Sequence, residues 1–123
     1  MAKLLIVDDD TDILDYLHTI LTPLNHEIRV EKDAKNAIRI LDKYHPDLII
    51  TDIFMPDMDG FELIKTIRKS HQDVKILGLS AVGSGFSQDL TLATAKDFGA
   101  NTVMKKPIEQ NKIINMINDF LSS

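Results

Sequence analysis

Leu48-Ile49-Ile50-Thr51-Asp52 is a short continuous apolar run that turns polar only at its carboxyl end. Such a run suits a strand buried on both faces, as in a parallel sheet. Comparable runs recur at fairly even intervals, at residues 4–7, 76–79 and, more weakly, 102–104. A fifth candidate strand, Glu27–Glu31, places Ile28 and Val30 between charged residues, the alternation of a strand nearer a sheet edge.

Between these runs the apolar period becomes helical. Ile13, Leu14, Leu17, Ile20 and Leu21 share one stripe, and Ala34, Ala37, Ile38 and Leu41 another. Phe61, Ile64 and Ile67 form a third, and Ile113, Ile114, Ile117 and Leu121 the last. Leu90, Ala93, Ala95 and Phe98 give a weaker helix, with Gly99 as its C-terminal cap. Pro23, Pro46, Pro56 and Pro107 all fall between elements, where proline does least harm. Strand and helix thus alternate about five times. This predicts a flavodoxin-like (βα)5 doubly wound fold with a five-stranded parallel sheet of order 2-1-3-4-5 and helices on both faces.

Composition narrows the function. The 123 residues fit one domain, expected to span 1–123, and 44% apolar with 27% charged residues is an ordinary globular balance. The absence of cysteine excludes a disulfide scaffold and thiol chemistry. With 14 Lys+Arg against 19 Asp+Glu, a net charge of −5 and no basic run, direct nucleic-acid binding is not expected. Three aspartates directly after the first apolar run argue against a secretory signal, and no apolar segment approaches the ~20 residues of a bilayer span. A cytoplasmic protein without membrane insertion is expected.

In doubly wound folds ligands sit at the carboxyl ends of the strands. Those ends read Asp8-Asp9-Asp10, Thr51-Asp52, Ser80-Ala81 and Lys105-Lys106-Pro107. Crowded carboxylates raise one another's pKa unless a cation neutralises them. Mg²⁺ takes one or two carboxylates and completes its shell with water and phosphate oxygens. A lysine and a hydroxyl beside it would hold the other oxygens of a phosphoryl group during in-line attack by a carboxylate. Each feature also has a plain structural reading. The aspartate triplet can cap a helix, Asp52 can begin a turn, Lys106 can be a surface lysine and Ser80 a structural hydroxyl. Only their joint placement at four strand ends favours the site.

These pieces, with Met55-Pro56-Asp57-Met58-Asp59-Gly60, Phe98-Gly99-Ala100 and Lys106-Pro107, resemble the CheY-like receiver domain of bacterial two-component response regulators over essentially the whole chain. The resemblance implies a phosphorelay phosphoprotein. Asp52 would accept a phosphoryl group from a sensor histidine kinase or histidine phosphotransfer protein, as an aspartyl phosphate. Asp9 and Asp52 would bind Mg²⁺ with the backbone carbonyl of Phe54, and Asp8 would act largely through water. Ser80 would be the hydroxyl that moves to the phosphoryl oxygen, and Lys106 would pair with the acceptor ahead of a cis peptide to Pro107. Lys105, one position off the motif, should point elsewhere. Such a domain reacts once and stops, so it is not expected to be an enzyme; it would signal by conformational change and protein–protein binding.

Three departures from the family pattern stand out. The aromatic residue expected three positions before the lysine is Val103. The segment Ala81-Val82-Gly83-Ser84-Gly85-Phe86-Ser87 is a few residues longer than usual, and its glycines suggest that it, with Phe86, is the moving part instead. Phe54 and Val82 stand where polar residues would orient a hydrolytic water, which implies a long-lived phosphate.

Two rivals remain open at this point. Asp8-Asp9-Asp10-Thr11-Asp12 half-matches the Asp-x-Asp-x-Thr of haloacid-dehalogenase-type phosphohydrolases, but Asp12 occupies the fifth position and there is no room for a cap domain. A receiver-like interaction module that is never phosphorylated is the other; such modules usually lose a pocket residue that is present here. The last helix is expected over residues 111–121 with no output domain after it, so the signal would leave by non-covalent binding unless these residues are one domain of a longer protein.

Overall fold

The computed structural model describes residues 2–81, 85 and 87–122. Its strands are β1 (Lys3–Val7), β2 (Glu27–Glu31), β3 (Leu48–Asp52), β4 (Lys75–Ser80) and β5 (Thr102–Lys105). They alternate with helices α1 (Thr11–Leu21), α2 (Ala34–Tyr44), α3 (Gly60–Ser70), α4 (Gln88–Phe98) and α5 (Gln110–Ser122). All pairings are parallel and the order is β2-β1-β3-β4-β5, as the apolar rhythm predicts. A short 3-10 turn, Thr22–Leu24, follows α1 and was not signalled by the periodicity.

β3 lies at the centre, and all five of its residues are buried. Alternation along the strands divides the core in two. Leu5, Val7 and Ile49 face α2, α3 and α4, packing with Leu41, Leu63, Ile64 and Ile67. Leu4, Ile6, Leu48 and Ile50 face α1 and α5, packing with Leu14, Leu17, Leu21, Ile113 and Ile117. Strands buried on both sides need apolar residues at every position, which explains the continuous runs. β2 is an edge strand with only Ile28 and Glu31 even half-buried, and its charged residues keep that edge from pairing with another chain.

The helix starts follow from their caps. Asp10 accepts the Asp12 N–H, Asp33 the Asn36 N–H, Asp59 the Glu62 N–H and Ser87 the Leu90 N–H. The capping reading of the aspartate triplet therefore holds for Asp10.

α4 corrects the sequence reading. Of its expected apolar stripe only Ala95 is buried; Leu90 is 52% and Phe98 38% exposed, and Ala93 faces solvent. The buried partner of Ala95 is Thr91, whose hydroxyl donates to the Ser87 carbonyl at 2.9 Å. With its polar group satisfied inside the helix, Thr91 behaves as a small β-branched apolar residue. The fully buried side chains of α4 are thus two small ones, with Leu92 partly buried against the core and Phe98 on Phe61, whereas α1 and α3 fully bury leucines and isoleucines.

Candidate functional site

The carboxyl ends of β1, β3, β4 and β5 bring the predicted residues together. Asp8 follows β1 directly, is fully buried, and is fixed by its N–H bonding the Glu31 carbonyl at 3.1 Å. Asp9 is exposed beside it. Asp52 is the last residue of β3 and only 4% exposed. Lys106 is aligned by its backbone N–H, which donates to the Ser80 carbonyl at 2.8 Å just beyond the β4–β5 ladder. Its ammonium reaches Asp8 Oδ2 at 3.0 Å and Asp52 Oδ1 at 3.4 Å. The Lys106-Pro107 peptide is cis, and Lys105 is exposed.

Three carboxylates share this space with one lysine. Oxygens of Asp8, Asp9 and Asp52 all lie within 4.8 Å of one another. Burial, and then the charge of Asp8, push the Asp52 carboxyl from 3.8 up to about 6, against the pull of Lys106 and of the Phe54 N–H. Burial also raises Asp8, opposed by hydrogen bonds from the Asp10 N–H and from Lys106. For Lys106 burial acts to lower the pKa, but the two carboxylates outweigh it and raise it. Asp52 Oδ1 is buried and has no hydrogen-bond partner among the described residues. Buried polar atoms in folded proteins nearly always accept or donate a hydrogen bond, so an oxygen held only by a long ion pair to Lys106, next to surplus negative charge, fits a hard, oxygen-seeking divalent cation.

Ser80 arrives at the same edge, 2% exposed, but its hydroxyl is turned to α4 and donates to Gln88 Oε1 at 2.7 Å. Gln88 carries no sequence signal, because a polar residue in the first turn of a surface helix is unremarkable. Phe54, two residues after Asp52, is half-buried with its ring edge-on to Phe61 at 6.1 Å, and Phe61 meets Phe98 at 5.9 Å. Val103 is buried in the core beneath α3 and α4. Val82 and Phe86, singled out from the sequence, lie outside the described residues, as do Gly83 and Ser84.

The comparisons agree with this geometry. The family model for the response regulator receiver domain matches residues 4–118. The chain is 33% identical over 122 residues to the DNA-binding transcriptional regulator NtrC of Azospirillum brasilense, covering 99% of this chain and 24% of that protein. It is 32% identical over 112 residues to the regulatory protein VanRc of Enterococcus gallinarum, covering 91% of this chain and 46% of that one. The chain therefore spans a quarter to a half of the length of these relatives. Among solved structures, the receiver domain of NtrX from Brucella abortus superposes with a TM-score of 0.88 at 29% identity, over 98% of both chains. The chemotaxis response regulator CheY4 of Vibrio cholerae gives 0.87 at 28% identity, also over 98% of both. These relatives are signalling proteins, and no helix among the described residues is long and apolar enough to cross a membrane. With fold, site and relatives in agreement, the chain belongs to the response regulator receiver domains of bacterial two-component systems.

Proposed function

We propose that Asp52 is the phosphoacceptor of this receiver, charged by a sensor histidine kinase or a histidine phosphotransfer protein. The observation that carries this reading is the state of Asp52: a buried carboxylate whose Oδ1, among the described residues, accepts no hydrogen bond and has only the Lys106 ammonium, at 3.4 Å, as an ion-pair contact, pushed up to about 6 beside two other aspartates. A purely structural aspartate would have its oxygens satisfied.

The residues present fit Mg²⁺, with Asp8, Asp9, Asp52 and the Phe54 carbonyl as its holders. Mg²⁺ bound there would neutralise the carboxylates and draw in phosphoryl oxygens. An Asp52 oxygen attacks phosphorus in line. The new O–P bond forms as the P–N bond to the donor imidazole breaks, and that nitrogen leaves with the electron pair. Lys106 follows the negative charge from the carboxylate to the phosphoryl group, and Ser80 donates its hydroxyl to a phosphoryl oxygen. The reaction ends after one transfer, so the domain is a switch rather than an enzyme. Residues 1–123 act in this reading as one receiver unit in the cytoplasm, which passes the signal by binding another protein. The net charge of −5 supports the absence of direct nucleic-acid contact.

Incubation with acetyl phosphate and Mg²⁺ is expected to add one phosphoryl group, about 80 Da by intact mass, to wild type and none to Asp52→Asn. Continuous release of phosphate from an ester would favour the phosphohydrolase instead. No adduct from acetyl phosphate or from a phosphorylated histidine kinase would sink the reading and leave a module that does not switch.

The phosphate is expected to persist for minutes or longer in the purified protein. The side chain of Phe54 offers no polar atom to orient an attacking water, and hydrolysis depends on such a group. Decay within seconds, followed by mass spectrometry after removal of the donor, would contradict this.

A further inference from the structure

Ser80 ends β4 and Gln88 begins α4, and the 2.7 Å bond between their side chains ties the sheet to that helix. A serine hydroxyl has one proton and can donate it once. Phosphoryl oxygens only accept. A hydrogen bond from Ser80 to a phosphoryl group on Asp52 and the observed bond to Gln88 therefore exclude each other.

We propose that Gln88 is a positioning residue for phosphoryl transfer, which holds the Ser80 hydroxyl on α4 and thereby sets how tightly the site takes a phosphoryl group. This rests on the reading of Asp52 as acceptor. Gln88 itself is exposed, so the competing state is easily reached: its amide turns to water once Ser80 lets go. Release also removes a polar tie from the first residue of a helix whose fully buried residues are Thr91 and Ala95, with Leu92 only partly buried. Loss of one tie matters more for such a helix than for one anchored by leucines.

The test is the affinity for beryllium fluoride with Mg²⁺, a phosphoryl mimic, measured by titration calorimetry on the full chain. Gln88→Met keeps length and helix propensity but removes the acceptor, and Gln88→Ala removes the side chain. Both are expected to bind the mimic roughly 2- to 10-fold more tightly than wild type, the range of one neutral hydrogen bond released from competition. Mg²⁺ affinity without fluoride should not move. In a Ser80→Ala background the same substitutions should change nothing, because the effect passes through the serine hydroxyl. Unchanged affinity in Gln88→Met, or an effect that survives in Ser80→Ala, overturns the proposal. Failure of wild type to bind beryllium fluoride would instead remove the reading of the site, and the role of Gln88 with it.

Discussion

Gly60→Ala is expected to cost the fold about 3 kcal/mol or more and to disturb the carboxylate cluster at the same time. Gly60 is the first residue of α3, packed onto the turn that leaves β3. A Cβ there would stand 2.3 Å from the Asp52 carbonyl oxygen and 2.6 Å from Ile53 Cα. Both are backbone atoms at the end of the central strand, so no side-chain rotation relieves the overlap. The Gly60 N–H also donates to the Ile53 carbonyl at 2.7 Å, a bond that any retreat of the helix would stretch. Urea unfolding should show a midpoint lowered by more than about 1 M, taking a slope of 1–3 kcal/mol per M for a small protein. Lys65→Ala, on the exposed face of the same helix, should stay near wild type. A Gly60→Ala midpoint that also matched wild type would mean that the close approach gives way without cost.

Gly60 also shows what kind of information the sequence carried. The string Met55-Pro56-Asp57-Met58-Asp59-Gly60 marks the family, while the structure supplies its reasons. Asp59 caps α3, Asp57 adopts a left-handed backbone at φ 67, and Gly60 makes room for the Asp52 carbonyl. The strands were legible because burial on both faces leaves no choice of residue type, and strand order followed from right-handed crossovers. Asp8, Asp9, Asp52, Ser80 and Lys106 were legible as strand-end residues, and the structure does gather them at one edge.

α4 was read less well, for a physical reason. Periodicity ranks positions by hydrophobicity, but close packing of a helix on a sheet favours small residues, and a threonine with an internally bonded hydroxyl serves as one. Leu90 and Phe98 looked like core, but Leu90 is half exposed and Phe98 lies at the surface against Phe61. The Ser80–Gln88 bond was invisible altogether, since it joins two ordinary polar residues through a loop whose path no local rule dictates. The carboxylate cluster was visible as a set of letters, but its imbalance was not, because that depends on which side chains burial strips of water.

That imbalance leads to the second large effect. In a divalent-free buffer at pH 7.5, Asp52→Asn is expected to be more stable than wild type by on the order of 2–3 kcal/mol, from about two pKa units at 1.36 kcal/mol each. The folded carboxyl titrates at about 6, above its ordinary 3.8, so folding prefers the protonated form. The stability contributed by this group is complete below about 3.8 and is lost as pH rises through about 6. Wild type should therefore become more stable as pH falls from 7.5 to 5, and Asp52→Asn should depend less on pH across that window. Asp8 is shifted in the same direction and leaves the variant a residual slope, while Lys106, raised above its usual range, stays charged throughout. Saturating Mg²⁺ should stabilise wild type by ligand linkage and shrink the gap, with much less effect on the variant. Thermal unfolding in EDTA between pH 5 and 8 checks this, and an Asp52→Asn protein less stable than wild type at pH 7.5 would refute it. The same excess of buried negative charge that weakens the empty fold gives a divalent cation something to neutralise. Stability given up at Asp52 is thereby recovered only when the site is filled, which ties the state of the site to the state of the whole domain.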